Sequence, residues 1–313
     1  MIRIFKTEVD EMKELTAPEK DCWISLVNPN EEELASVSSK YCIDPDDLRA
    51  ALDEEERARI ETEENYTLIL VDIPAIEVNK DKETYITEPL GIILAKEAII
   101  TVCLHETPIL YTIKQKRSSE LRTNFRTRFI LQILYRNASL YLQYLRSINK
   151  KSDSVEQKLH DSTKNSELIA LLALEKSLVY FTTSLRSNET VLEKLLKSDR
   201  IKKYPEDTDL LEDVIVENRQ AIEMANIYSG ILSNLMDSFA SVISNNLNIV
   251  MKFLAVVTIV LSIPTIIFAA YGMNVQSSGM PLADHPYGFV AIIGVSVVIT
   301  VIVAVYFAKK KMF

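Results

Sequence analysis

Residues 253–274 read FLAVVTIVLSIPTIIFAAYGMN. From Phe253 to Tyr271 the stretch has no ionisable side chain except the terminal Tyr271. At 1.5 Å rise per residue such a helix is about 30 Å long, enough to cross the hydrocarbon core of a bilayer. A second stretch, Tyr287 to Phe307, repeats the pattern with only tyrosine hydroxyls at its ends. Two buried core helices of a soluble enzyme are the competing reading. Their length and flanks favour two membrane spans.

The flanks also set an orientation. Lys252 opens the first span, Lys309, Lys310 and Lys311 close the second, and the loop Gly272–Pro286 has no Lys or Arg. The positive-inside rule then places both ends of the chain in the cytoplasm and the loop outside, in a multi-pass protein of the cytoplasmic membrane. Met1 to Glu8 lack the apolar run of a signal peptide, so about 250 cytoplasmic residues are expected before the membrane. The chain has 313 residues and a formal net charge of −9, which argues against nucleic acid and suits cations. Cys22, Cys42 and Cys103 are scattered and read as reduced, half-buried thiols. His105, His160 and His285 are equally dispersed, and no His/Cys pair has ligand spacing.

Residues 1–125 mix strands and short helices and predict an α+β cytoplasmic domain. Strands are expected at Ile2–Phe5, Cys22–Val27, Tyr66–Ile76 and Glu83–Leu104, the last a hairpin turned near Lys96-Glu97. Helices are expected at Asn30–Lys40 and Pro45–Arg59, with Asp44 as N-cap and Pro45 at the first helical position. No phosphate-binding glycine loop appears, and no nucleophile beside a base. Residues 126–204 predict a helical hairpin whose tip follows Asn149–Asn165, with Ser166 or Asn165 capping its second helix. Lys202-Lys203-Tyr204-Pro205 ends that run.

From Pro205 to Tyr271 no strong stop signal occurs except Pro264, inside the span. One helix of that extent is about 100 Å long. Its stalk part, 205–252, carries Ala221, Ala225, Tyr228, Leu232, Leu235, Phe239, Val242, Asn246 and Ile249 in alternating steps of four and three. That is the seam of a helix packed against parallel copies of itself or against neighbours, or of an amphipathic helix on its own domain. Within the span 253–271 and just before it, Asn248, Met251, Ala255, Thr258, Ser262, Thr265, Ala269 and Gly272 share one side. Such a stripe fits a pore lining and helix packing equally. Two spans enclose no water-filled path, so a pore needs several subunits.

At the outer end stand Tyr271-Gly272-Met273-Asn274, followed by a short loop, a second span and a lysine-rich tail. This arrangement resembles the CorA family of magnesium transporters, whose signature is Gly-Met-Asn at the end of the first of two C-terminal spans. Asn248 to Leu254 also resembles that family's inner pore entrance. The likeness is specific from about Asp213 onward and fainter before it, at Trp23-Ile24-Ser25-Leu26 and Ile43-Asp44-Pro45.

The resemblance implies a homopentamer with the first spans around one pore. Gly272, Met273 and Asn274 would form the selectivity filter in the outer loop 272–286, Met251 and Leu254 the apolar constriction, and Asn248 a polar ring at the inner mouth. Leu254 joins the pore-lining set with Ala255, Thr258, Ser262, Thr265 and Ala269. Mg²⁺ sheds its octahedral water shell reluctantly. A ring of Asn274 oxygens and Gly272 carbonyls suits a cation that keeps its waters, and Gly272 is expected to permit the conformation that ends the helix. Family regulation implies cytoplasmic Mg²⁺ at Asp213, with Asp53, or else Glu54 to Glu56, standing in for a partner position that here is Ala50. Asp284 in the outer loop would concentrate cations. Two departures are visible: Pro264 lies one residue nearer the Gly-Met-Asn than is usual, and Met280-Pro281 is followed by Leu282-Ala283 where the family often has an acid.

The sequence therefore predicts a non-enzymatic divalent-cation channel in lipid, for Mg²⁺ and also Co²⁺ or Ni²⁺, with no cofactor. Its second span is 287–307 and its basic tail 308–313. The alternatives are a Zn²⁺ transporter of the same architecture, like the ZntB group, and a membrane-tethered coiled-coil scaffold or sensor.

Overall fold

The computed structural model describes residues 1–313 except 9–10, 80–81, 116–120, 162–164, 199–203, 275–279, 283–284 and 311–313. It divides into two compact units, Met1–Met236 and Asp237–Phe313.

The first unit is built on a seven-stranded sheet. In chain order the strands are β1 (Ile2–Glu8), β2 (Glu11–Leu15), β3 (Cys22–Val27), β4 (Arg59–Thr62), β5 (Tyr66–Asn79), β6 (Lys82–Ala95) and β7 (Ala98–Cys103). Their spatial order is β2-β1-β3-β7-β6-β5-β4, antiparallel throughout except for the parallel pair β3 and β7. The long hairpin turns at Lys96-Glu97, where the sequence places it. Helices α1 (Glu31–Tyr41) and α2 (Pro45–Ala50) lie in the crossover after β3. Each has its cap: the Asn30 side chain accepts from Glu33 N–H in a capping box, and Asp44 accepts from Asp46 N–H with Pro45 at the first position. The expected helix Pro45–Arg59 is a correction. It stops at Ala50, because the Asp53 carboxylate accepts the Glu55 N–H at 3.0 Å and turns the chain into β4, a strand hidden inside the charged run. β2 was likewise not foreseen, its five residues being mostly charged.

Both faces of the sheet are covered. On one, Ile24, Leu26, Leu68, Leu70, Ile93, Ile100 and Val102 pack with Leu34 and Val37 of α1 and Leu48 of α2. The other face receives α4 (Arg126–Asp161) and α5 (Asn165–Lys197), which follow the short α3 (Pro108–Gln115). There Trp23 meets Phe129 at 5.3 Å between ring centroids and Tyr141 meets Phe181 at 5.0 Å. Coverage on both sides explains why β3 and β7 are predominantly apolar and buried almost end to end, Ser25 and Thr101 included. Cys22 and Cys103 are fully buried and Cys42 is exposed, so none is half-buried. Burial pushes the Cys103 thiol up to about 12, far from thiolate reactivity.

Helix α6 runs Pro205–Tyr271, the bounds the sequence suggests. Arg128 anchors its first turn, with Nε 2.9 Å from Asp207 Oδ1 and Nη2 2.6 Å from Glu206 Oε2. The second unit holds the C-terminal part of α6 and α7 (Gly288–Lys309).

Candidate ion path

Among the described residues, three helical segments are long and apolar enough to cross a membrane: Ser166–Lys197, Pro205–Tyr271 and Gly288–Lys309. The first, in α5, is committed to the sheet domain, where Leu171, Leu178, Phe181 and Leu185 are buried. The most apolar stretch of each of the other two lies almost bare, as helices do whose apolar sides belong to lipid or to other copies.

Within the second unit, α6 has one shielded side. Val256 is buried, and Val260, Ile263 and Ile267 are half-buried at steps of four, three and four. Ser296 is the buried counterpart on α7, with its hydroxyl lacking a hydrogen-bond partner among the described residues. The side proposed from sequence is turned roughly opposite. Asn248, Met251, Leu254, Ala255, Thr258, Thr265 and Ala269 are exposed, and Ser262 is half-buried. The hydroxyls on this side are tied to the helix: Thr258 Oγ1 donates to Leu254 O (2.8 Å), Ser262 Oγ to Thr258 O (2.7 Å) and Thr265 Oγ1 to Leu261 O (3.0 Å). Each spends its one proton on the backbone, leaving its oxygen lone pairs as acceptors.

The helix ends where Gly272 N–H donates to Phe268 O (2.9 Å) and Ala269 O (3.2 Å). Gly272 does not use a positive φ, and a Cβ there would sit at ordinary contact distance, 3.4 Å from Phe268 O. The expectation that glycine's special conformation ends this helix is therefore corrected; the following residues simply leave it. Met273 and Asn274 are exposed beyond the end. Tyr271 Oη donates to Pro281 O at 2.8 Å and ties the outer loop to the helix terminus. Leu282 adopts φ 63°, and Gly288 packs beneath it so closely that a Cβ would lie 2.1 Å from Leu282 O. This loop anchor gave no signal in the sequence beyond the glycine itself. Asp284 and Lys311 lie outside the described residues.

Asp213 is exposed on α6, and Asp53 is exposed in the turn after α2. Among the described residues no group of three His, Cys, Asp or Glu side chains is placed to hold a metal ion.

An α/β sheet domain followed by long helices apolar enough for a bilayer defines a class of membrane protein. The model of the family described as CorA-like Mg²⁺ transporter protein matches residues 19–310, and the chain belongs to that family. It is similar to the cobalt/magnesium transport protein CorA of Methanocaldococcus jannaschii, 31% identical over 92% of this chain and 90% of that one. The magnesium transport protein CorA of Helicobacter pylori is 25% identical, covering 92% of this chain and 89% of its own. The complete structure of the M. jannaschii CorA magnesium transporter matches with a TM-score of 0.84 over 100% of this chain and 99% of that one, at 27% identity. The ZntB cytoplasmic domain of Vibrio parahaemolyticus shares the fold, with a TM-score of 0.60 over 78% of this chain and 98% of that one, at 12% identity.

Proposed function

We propose that this chain forms a homopentameric pore that passes Mg²⁺, with Co²⁺ and Ni²⁺ as further cargo, across the cytoplasmic membrane. Residues 253–271 and 287–307 span the bilayer, 272–286 lie outside, and both termini are cytoplasmic. Gly272, Met273 and Asn274 form the filter at the outer end. Asn248, Met251, Leu254, Ala255, Thr258, Ser262, Thr265 and Ala269 line the path, and Asp284 draws cations to its mouth. The observation that carries the reading is the placement of Asn274, exposed three residues past the end of an apolar helix whose shielded side faces elsewhere.

The chemistry agrees. A hydrated Mg²⁺ presents only water protons outward, and the amide oxygens of Asn274 and lone pairs of Thr258, Ser262 and Thr265 accept them without stripping the shell. No carboxylate stands in the span to trap the ion. Met251 and Leu254 narrow the inner path with apolar side chains and gate it by dewetting. Asp213 and Asp53 respond to cytoplasmic Mg²⁺ between neighbouring subunits. The role is transport without catalysis or resident cofactor.

Reconstituted protein tests this directly. Asn274→Ala should abolish Mg²⁺ uptake into proteoliposomes while assembly is retained; flux at the parent rate would remove the filter. The Zn²⁺ reading is supported only by a distant likeness of fold. Proton-coupled Zn²⁺ uptake that outcompetes Mg²⁺ would favour it.

A further inference from the structure

Beyond Tyr271 the chain leaves α6, and Met273 and Asn274 are exposed, so burial does not hold them in place. A tie from the far end of the outer loop bounds their position instead. Tyr271 Oη donates to Pro281 O at 2.8 Å, joining two residues ten apart in sequence. Fixing the two ends of a segment removes conformational freedom from what lies between them. Gly272, Met273 and Asn274 stand directly inside that tie.

The acceptor end is itself fixed to α7. The His285 N–H donates to Leu282 O (3.3 Å) and the Gly288 N–H to His285 O (2.9 Å), while the Ala291 N–H donates to Tyr287 O (3.0 Å) in the first turn of the helix. Leu282, the residue after the acceptor, holds φ 63°, uncommon for a side chain of its size. Gly288 is buried and has no positive φ; it is needed for space, since a Cβ would overlap the Leu282 carbonyl oxygen. A tyrosine at this depth can also serve as an interfacial anchor. Here its hydroxyl meets one carbonyl on a turn seated against the next helix, which makes it a brace between two helix ends.

We propose that Tyr271 and Gly288 are positioning residues for the filter: the Tyr271–Pro281 hydrogen bond, seated on the close contact of Leu282 with Gly288, holds Asn274 in the arrangement that receives a hydrated Mg²⁺. The brace rests on the assignment of Gly272, Met273 and Asn274 as the filter. A filter that samples other arrangements loses apparent affinity in proportion to the time it is competent, and a saturating cation recovers the competent form. The brace therefore sets the concentration at which Mg²⁺ fills the path and leaves the rate of the filled path unchanged.

Initial Mg²⁺ uptake into proteoliposomes, followed against external Mg²⁺, tests it. Tyr271→Phe keeps the ring and removes only the donor. Its half-saturating concentration should rise about fivefold, the net worth of one hydrogen bond, with the maximal rate kept. Gly288→Ala displaces the Leu282 turn without touching Tyr271 and should raise the same quantity. The double variant should be no worse than the more affected single variant, because both changes release one brace. Parental half-saturation in Tyr271→Phe overturns the inference, as does a loss confined to the maximal rate. Effects that multiply in the double variant, the mark of independent membrane anchoring, overturn it too. If Gly288→Ala does not assemble, the Tyr271→Phe measurement decides alone. Each of these results leaves the filter assignment standing as long as Asn274→Ala is inactive; an inactive parent removes the filter and the brace together.

Discussion

The side-chain amide of Asn188 does for Asp72 what a neighbouring strand would do. Its Oδ1 accepts the Asp72 N–H at 2.8 Å and its Nδ2 donates to the Asp72 carbonyl at 2.7 Å. The need arises because β4 pairs with β5 only from Thr67 to Leu70, leaving the outer edge of β5 bare at Asp72. Asn137 Nδ2 (2.9 Å) and Tyr141 Oη (3.2 Å) reach the same carbonyl, so α4 and α5 are hydrogen-bonded to the sheet at one residue. Asn188→Ala leaves the Asp72 N–H without its partner in a buried setting and should cost about 1–3 kcal/mol, read from the urea midpoint. Asn137→Ala should cost less, because the carbonyl keeps two other donors. Equal losses would count against the assignment.

The Asp72 carboxyl gives a pH signature. Burial, opposed only by a hydrogen bond with Ser184, pushes it up to about 6. An unfolded chain holds an aspartate near 3.9, so between about pH 4 and 6 the folded state binds more protons than the unfolded one. Its contribution to stability is therefore full at low pH, falls as pH rises through that window, and stays flat above it. Asp72→Asn should raise stability relative to the parent more at about pH 7.5 than at about pH 5, measured by paired denaturation curves. A gain independent of pH would refute this.

Gly91 and Ala51 form a second tight relationship. A Cβ at Gly91 would lie 2.7 Å from the Ala51 Cβ, where the end of α2 lies on β6. Gly91→Ala should cost about 1–3 kcal/mol by overpacking, lowering the unfolding midpoint without changing its slope. The second change Ala51→Gly should return much of that loss. Additive losses in the double variant would show that the crowding is not mutual.

At the base of α6, Asp207 is 2% exposed and has two partners, the Arg128 guanidinium and the Tyr204 N–H at 3.2 Å. Glu206 and Asp207 together hold the Arg128 guanidinium above its ordinary range. Arg128→Ala strands a buried carboxylate and should cost about 2–3 kcal/mol, the low end for a buried pair because the guanidinium is partly wet. Arg49, bridged to Glu31 and Asp46 on the surface, is the control: Arg49→Ala should leave the midpoint unmoved. Hydrogen exchange at 205–215 should quicken in the Arg128 variant alone.

Where the physics is local, the sequence was readable. The cap Asp44, the turn at Lys96-Glu97, the strand Cys22–Val27 and the bounds of α6 follow from turn chemistry, burial on both faces and uninterrupted helical periodicity. Where a few residues were decided by distant partners, it was not. β2 and β4 are charged strands that owe their state to pairing with β1 and β5. The helix foreseen to Arg59 loses to one Asp53 side-chain bond.

The chain's own order of residues determined that two long apolar helices close it, that Gly272-Met273-Asn274 stands at the end of the first, and that the family is that of CorA-like Mg²⁺ transporters. Those are matters of composition and spacing along one helix, which need no distant contact. Only the folded chain decided which side of α6 is shielded by Val256 and its neighbours. It alone set Glu88 beside His105, and Asn188 against the bare edge of β5. Each of these joins residues far apart in sequence, and nothing short of tertiary packing brings their atoms within hydrogen-bonding reach.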